Sequence, residues 1–258
     1  MSNIQSGRAD AIERMNRFVQ RMNEVERDLT SAYVRPKDAA TLILVDRSGH
    51  EPKVLLGKRH ARHKFMAGKF VFPGGGVDPA DRRMPVARGL DPGAEANLLK
   101  RVARPNPARA RSLALAAIRE TFEETGLVLG VPVTNMPAVP KGPWSAFAQA
   151  SLLPDLGELH FIGRAITPAG RPRRFDARFF TLDASAIARR IEGVTGSDAE
   201  LIELVWLPLA QAKELDMPAV TGVMLDELEL RIADGFGHDL PIPFYRMPRG
   251  RFTRELLL

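Results

Sequence analysis

Short apolar runs recur along the chain, and turn residues such as Gly, Pro and Asp separate them. Runs of about four to eight residues with such boundaries are typical of β-strands. A further short strand is expected just before Pro73, where the chain enters a glycine-rich turn. The other strands that this pattern predicts are residues 39–46, 52–59, 158–167, 174–183 and 201–208.

Other segments place apolar residues three or four positions apart, which is the spacing of a helix with one buried face. The predicted helices are residues 8–30, 95–102, the segment from Leu113 to Gly126, 184–192, 208–215 and 218–234. These helices are mixed with the strands, and no repeat or linker divides the chain. The pattern therefore predicts one α/β domain with a mixed sheet.

The composition narrows the class of protein. The 258 residues are 45% apolar and 26% charged, as in ordinary globular proteins, and no run is long enough to predict a membrane span. The first residues lack the apolar core of a secretory signal, so the expected location is cytoplasmic. The absence of cysteine excludes disulfides, thiolate metal sites and thiol nucleophiles.

The charge is basic and unevenly distributed. Lys and Arg number 37 against 31 Asp and Glu, a net charge of +6, which suits an anionic partner. Arginines concentrate in residues 82–111 and 171–178. Neither cluster has the interleaved aromatic residues of a single-strand binding platform, so nucleic acid is an unlikely partner. Phosphate contacts or a solvated basic surface are the alternatives that remain.

One predicted helix carries a cluster of acids. In "LALAAIRETFEETGL", Glu123 and Glu124 follow Glu120 at helical spacings of three and four, so the three carboxylates can converge on one side. Like charges at these spacings repel, and Mg²⁺ prefers carboxylate oxygens together with substrate phosphates. The cluster predicts a cation site, with a solvated acidic face as the alternative.

The turn "FPGGGVDPAD" and the helix "AAIRETFEETGL" together resemble the Nudix hydrolases. That family carries a loop–helix–loop box, G-x5-E-x7-R-E-U-x-E-E-x-G-U, in which U is apolar. Thr121 departs from the pattern at an apolar position, where its methyl group can still pack. The residues that match the second half of the box are Arg119, Glu120, Glu123, Glu124, Gly126 and Leu127.

The first half of the box is present but displaced. Gly75 and Asp81 reproduce the first spacing, with aspartate in place of glutamate, but 37 residues then separate Asp81 from Arg119. The resemblance therefore implies an insertion at 82–111, and the role of Asp81 is open. The expected fold is a Nudix-type α/β/α sandwich with a mixed β-sheet and an extra N-terminal helix. Its expected divisions are an N-terminal extension 1–37, a Nudix domain 38–235 and a C-terminal tail 236–258.

The resemblance also implies a chemistry, the hydrolysis of a diphosphate linkage with Mg²⁺ or Mn²⁺. Glu120, Glu123, Glu124 and the carbonyl of Gly74 are expected to hold the metal, and Arg119 to orient a helix glutamate. The general base is left open between Glu124, Glu200 and Glu203. The arginines that are candidates to grip substrate phosphates are Arg59, Arg173, Arg174 and Arg178.

Further segments resemble the Nudix branch that contains the peroxisomal coenzyme A diphosphatases: "VLLGKRHARHKFMAGKFVFPGG", "RAITPAGRPRRFDARFF" and "LIELVWLPLAQA". The coenzyme A signature is incomplete, since His60 follows Arg59 where that signature has serine. The substrate expected is a small-molecule diphosphate, with coenzyme A or acyl-coenzyme A first. The alternatives are ADP-ribose, nucleotide sugars or capped RNA, or a catalytically silent module that binds nucleic acid.

The insertion is expected to leave and re-enter the domain at one point of its surface. A long surface insertion costs little entropy, because loop closure depends only weakly on length. Trimming residues 82–111 is therefore expected to leave the fold intact and to change substrate affinity or self-association. The sequence does not fix the oligomeric state, for which a homodimer is one candidate.

Overall fold

A computed structural model describes residues 2–24, 33–62 and 66–257, with side chains from residue 7 onwards. The helices and strands in these ranges are α1 (Ser2–Glu24), β1 (Lys37–Asp46), β2 (Lys53–Arg59), β3 (Phe70–Val71), β4 (Gly74–Gly76), α2 (Pro92–Leu99), α3 (Pro107–Thr125), β5 (Leu127–Leu129), β6 (Val131–Pro132), α4 (Trp144–Gln149), β7 (Leu152–Leu153), β8 (His160–Ile166), β9 (Phe175–Asp183), β10 (Ile187–Arg190), β11 (Leu201–Pro208), α5 (Leu209–Ala212), α6 (Ala219–Ala233), β12 (Ile242–Arg246) and β13 (Thr253–Leu257). None of these helices is long and apolar enough to cross a membrane.

The main sheet has nine strands and is mixed, as the sequence predicted. Its order is β11-β2-β1-β9-β8-β12-β13, with β3 paired to β2 and β4 paired to β1. β1 runs parallel to β9, and β12 runs parallel to β8, while the other neighbours are antiparallel. The short strands β3 and β4 bring the glycine turn that follows Pro73 into the sheet next to β1.

Alternate residues of β1 enter two different hydrophobic layers. Leu42 and Leu44 pack in one core, and Ile43 and Val45 pack in the other, because successive side chains of a strand point to opposite faces. The first core includes Leu113, Ala114, Ala117 and Ile118 of α3. The second includes Met15 and Phe18 of α1 and Val223, Leu225 and Leu228 of α6. The fold is therefore an α/β/α sandwich.

The N-terminal helix is built into the second layer. The predicted helix 8–30 corresponds to α1, and its last predicted residues lie outside the described ranges. The ring of Phe18 meets Tyr245 edge-on at 5.7 Å between centroids. Arg14 donates from Nε to Asp226 at 2.8 Å. These contacts tie α1 to α6 and to β12.

The segment expected as a C-terminal tail forms β12 and β13. Phe244 pairs with Arg164 of β8, and Ile242, Phe244 and Tyr245 are buried. The sequence pattern missed these strands because they are short and Pro243 interrupts the first of them. Residues 236–257 thus extend the main sheet by two strands.

The predicted helix 184–192 is wrong. Asp183 accepts from the Ser185 amide and starts a single 3-10 turn, after which β10 pairs with β5. Local helix propensity is weak against such pairing. The helix predicted at 208–215 is shortened to α5, while the helix predicted at 218–234 is confirmed as α6. The helix predicted at 95–102 begins earlier, because Asp91 caps it by accepting from the Gly93 and Ala94 amides.

The insertion is folded and partly buried. Residues 82–111 contain α2 and the first residues of α3. Met84, Ala94, Leu98 and Ala110 are buried in the core that also contains α3. The picture of a purely superficial excursion is therefore incorrect, because the insertion supplies part of the hydrophobic layer behind the glutamate helix.

Candidate active site

The position of the glutamates is fixed by how α3 begins and ends. Asn106 caps the helix by accepting from the Ala108 amide at 2.8 Å, and Pro107 occupies the first turn. Gly126 ends it with a left-handed backbone, at φ 75°. A Cβ at Gly126 would lie 2.1 Å from the Ile191 carbonyl oxygen, so the position requires glycine. The acids consequently occupy the last two turns.

The glycine turn lies directly against these acids. Gly74 pairs with Thr41 of β1, and its amide donates to Glu124 Oε2 at 3.3 Å. A Cβ on Gly75 would lie 2.4 Å from the carboxyl carbon of Glu120. The absence of side chains therefore allows the loop backbone and the Glu120 carboxylate to touch.

Arg119 joins the helix to this loop. Its side chain is buried, and Nη1 donates to Glu120 at 2.9 Å and also to Glu123. Nη2 donates to the carbonyl oxygen of Gly76 at 2.7 Å. One guanidinium group thus holds two of the three predicted metal-binding carboxylates and the glycine turn in a fixed arrangement.

Asp81 completes the arrangement despite its distance along the chain. Its carboxylate is fully buried and accepts from Arg119 Nε at 2.8 Å and from the Trp144 indole at 3.3 Å. The Asp78 amide donates to its second oxygen at 2.8 Å. The structure therefore brings both halves of the interrupted box together and assigns Asp81 to the Arg119 ion pair. Trp144 has no signal in the sequence that would have identified it as a partner of Asp81.

Burial and mutual repulsion raise the pKa values of two acids in the cluster, Glu124 and Glu120. Burial raises the pKa of Glu124 well above its usual value, the charges of Glu200 and Glu120 add to this effect, and the Gly74 amide and Arg59 oppose it. Burial likewise raises the pKa of Glu120, against the influence of Arg119. Glu200 thus lies within electrostatic range of both acids. Glu203, the third candidate base, is exposed on β11.

Arg59 is the one predicted phosphate-binding arginine that the structure places beside the glutamates. It ends β2, and its Nη2 lies 2.8 Å from Glu200 Oε1. Its charge also acts on Glu124. Arg59 and Glu200 therefore form a second ion pair at the edge of the acidic cluster, alongside the Arg119 network.

Two of the remaining arginines, Arg174 and Arg178, are bonded within the protein, which corrects their predicted role in a phosphate grip. Arg174 donates to the carbonyl oxygens of Thr167 at 2.9 Å and Val34 at 2.7 Å. Arg178 is fully buried and pairs with Asp38 at 2.8 Å. Arg173 is exposed in the turn before β9. Arg174 and Arg178 thus hold the ends of β1 and β9, and the phosphate-binding role of Arg173 stays a prediction.

The charges of the cluster fit a divalent cation. Among the described residues, Asp81, the three helix glutamates and Glu200 face two guanidinium groups, those of Arg59 and Arg119. Negative charge is therefore in excess, and hard oxygen ligands suit Mg²⁺. No three described His, Asp or Glu side chains already converge for a metal ion. In this arrangement the carboxylates of Glu120 and Glu123 both accept hydrogen bonds from the Arg119 guanidinium group.

A cavity of about 450 Å³ lies on the other side of α3. Ile118, Leu182 and His160 line it, together with Arg88 of the insertion. Ile118 projects to a different side of α3 from Glu120 and Glu124, since steps of two and six residues turn a helix by about 160° and 120° from the starting direction. This cavity does not contain the acidic cluster and is separate from the candidate active site.

Comparison with known proteins supports the Nudix hydrolase fold that the sequence predicted. No protein-family model matches the chain. A solved NUDIX hydrolase from Alicyclobacillus acidocaldarius is similar over 78% of this chain and 97% of its own, at 27% identity and a TM-score of 0.57. Weaker similarities include the M. smegmatis Nudix hydrolase RenU, at 16% identity and a TM-score of 0.40, over 81% of this chain and 95% of its own. Another is the NUDIX domain of Shewanella oneidensis NrtR complexed with ADP ribose, at 13% identity and a TM-score of 0.42, over 80% of this chain and 93% of its own.

The chain therefore has the Nudix hydrolase fold. The fold similarity rests on the Alicyclobacillus structure, and the loop–helix–loop arrangement described above occupies the place that the box predicts. Both observations support the Nudix family and a diphosphate-hydrolase activity.

Proposed function

We propose that the protein is a metal-dependent Nudix hydrolase that splits the diphosphate bond of a nucleoside diphosphate-linked substrate into two monophosphates. The observation that carries this proposal is the assembled box. Glu120 and Glu124 lie against the Gly74–Gly76 turn, Glu123 accepts from Arg119, and the buried pair of Arg119 and Asp81 joins the two halves. An acidic face that served only solubility would have no need of a buried Glu124 or of a buried arginine that holds the other two carboxylates.

The residues of the site have separate proposed roles in metal binding, orientation and proton transfer. Glu120, Glu123, Glu124 and the Gly74 carbonyl would hold Mg²⁺ or Mn²⁺, which supplies charge neutralisation at the phosphates and a more acidic bound water. Arg119 orients two of the carboxylates from a buried position. Glu124 and Glu200 are the leading candidates to accept the proton of the attacking water, because the charge of Glu200 acts on both Glu120 and Glu124.

The rival reading, a silent module that binds nucleic acid through its basic surface, is less well supported. Two arginines of the 171–178 cluster, Arg174 and Arg178, are buried and bonded within the protein. They do not offer a basic face to a phosphate backbone. A binding module would also gain nothing from acids that repel its ligand.

For the substrate we retain coenzyme A or acyl-coenzyme A as the first hypothesis, on the branch-level resemblance of the flanking segments. A phosphate grip by Arg174 and Arg178 no longer supports this hypothesis, since both side chains are bonded within the protein. ADP-ribose, nucleotide sugars and capped RNA are the competing substrates, and the chemistry at the diphosphate is common to all of them.

The test is a substrate screen with Mg²⁺ or Mn²⁺ and with chelator, read by mass spectrometry of the products. Coenzyme A cleavage gives 3′,5′-ADP and a phosphopantetheine. Glu123→Gln and Glu124→Gln should lower kcat by about a hundredfold or more while the protein stays folded, because each change removes a charge that the reaction requires. Turnover that persists in chelator, or in both variants, would contradict the mechanism. Cleavage of ADP-ribose but not of coenzyme A would contradict only the substrate.

A further inference from the structure

Arg59 and Glu200 form an unequal pair. Arg59 is largely buried at the end of a sheet strand, with 16% of its side chain exposed, whereas 44% of the Glu200 side chain is exposed. The Arg59 amide donates to the Lys69 carbonyl at 2.9 Å, and β11 flanks the strand on its other side. The cation is thus held by the fold, and the anion that meets it is open to solvent.

Apart from its pair with Arg59, Glu200 is held through its backbone. Its carbonyl oxygen accepts from the His60 amide at 3.1 Å, just before β11 begins at Leu201. A change of side-chain rotamer would release its carboxylate from Arg59 without moving the sheet. Arg59 itself still has an unused donor, since its buried Nε has no hydrogen-bond partner among the described residues.

We propose that Glu200 occupies Arg59 in the substrate-free protein as an internal substitute for a substrate phosphate, and that the diphosphate displaces it on binding. The Glu200 carboxylate and a substrate phosphate are both oxyanions, and a guanidinium group binds either one through the same N–H donors. The charges of both Arg59 and Glu200 act on Glu124, so a phosphate on Arg59 would be within electrostatic range of the proposed metal-binding acids. The inference rests on the proposed function and adds to it a residue that sets affinity for the diphosphate.

Competition of this kind lowers affinity by the fraction of molecules in which Arg59 is free. A partly exposed ion pair is formed in most molecules but not in all, so removing the competitor should strengthen ligand binding by about twofold to sixfold. Removing Arg59 should weaken binding by about tenfold or more, because a charge-assisted hydrogen bond to phosphate is lost.

The experiment measures the binding of α,β-methylene-ADP, a diphosphate that cannot be hydrolysed at its bridge, by calorimetry in Mg²⁺. Wild type is compared with Glu200→Gln, Arg59→Gln and the double variant. Glu203→Gln is the matched control, because it removes the same charge from the neighbouring strand β11. Glu200→Gln should bind more tightly than wild type, and Glu203→Gln should not. In the Arg59→Gln background, Glu200→Gln should have no further effect.

Two results would overturn the inference while leaving the diphosphatase intact. In the first, Glu200→Gln binds no more tightly than wild type, so Glu200 is not a competitor. In the second, Glu200→Gln tightens binding by the same factor in the wild-type and Arg59→Gln backgrounds. The effect would then be a general repulsion between Glu200 and the anionic ligand. If wild type neither binds the analogue nor cleaves any diphosphate, the inference and the proposed function both fail.

Discussion

Arg119 is a single guanidinium group shared by several carboxylates, and its environment explains why it is buried. Burial lowers the pKa of Arg119, but hydrogen bonds and charges from Asp81, Glu120 and Glu123 outweigh this and hold the pKa above its usual range. Taking an ion pair out of water is favourable only when its geometry is good and its remaining donors are satisfied. Asp81, Trp144 and the Gly76 carbonyl meet that condition.

Asp81→Asn tests this network. The substitution keeps the shape but leaves the buried Arg119 without its most enclosed anion, so the free energy of unfolding should fall by about 2 to 3 kcal/mol. Activity should fall as well, since Arg119 also orients Glu120. Urea unfolding and steady-state kinetics measure the two effects. An unchanged free energy of unfolding in Asp81→Asn would contradict the ion-pair account.

The raised pKa of Glu124 predicts how stability depends on pH without metal. An unfolded glutamate titrates near 4.5. Above that value the folded protein retains the Glu124 proton while the unfolded chain releases it, so the contribution of Glu124 to stability is lost as pH rises through the folded pKa. In chelator, the melting temperature should therefore fall between about pH 5 and pH 8, and should fall less in Glu124→Gln. An unchanged slope in the variant would contradict a buried, repelled carboxylate.

At the scale of the elements, the sequence predicted those with a local signal. The strands β1, β2, β8, β9 and β11 and the helix α3 follow from apolar runs, helical spacing and Gly126. β10 was missed because pairing with the distant β5 creates it, whereas β12 and β13 were missed because they are short and Pro243 interrupts the first. The glutamates could be found from spacing alone. Asp81 could be placed only in space, because 37 residues separate it from Arg119.

The strand β4 provides a matched test of the glycine turn. Gly75→Ala would put a Cβ 2.4 Å from the Glu120 carboxyl carbon, whereas a Cβ on Gly76 meets nothing within 4 Å. The Glu120 carboxylate is the flexible end of a side chain, so it can move aside at little cost in stability. Gly75→Ala should therefore lower kcat by about tenfold or more with a small change in melting temperature, and Gly76→Ala should alter both little. Similar activity in the two variants would show that Glu120 does not need its present position.

At the scale of the whole molecule, the insertion and the chain ends enlarge a standard sandwich without interrupting it. α1 packs across α6, β12 and β13 extend the sheet, and α2 covers the start of α3. Each addition contributes apolar side chains to a layer that already exists. The box can therefore be interrupted in sequence and still be continuous in space, because the insertion leaves after Asp81 and returns as the first turns of α3.

Met84→Ala tests whether the insertion belongs to the core. Met84 is fully buried among residues that include Leu98 and Trp144, so truncating it should leave a cavity and lower the free energy of unfolding by about 2 to 4 kcal/mol. The kcat of the protein that remains folded should change little, since Met84 does not touch the glutamates. Arg104→Ala is the control at an exposed position of the same insertion and should change stability by less than about 0.5 kcal/mol. Equal stability of the two variants would place the insertion outside the cooperative core, and excising residues 82–111 should then leave a folded protein.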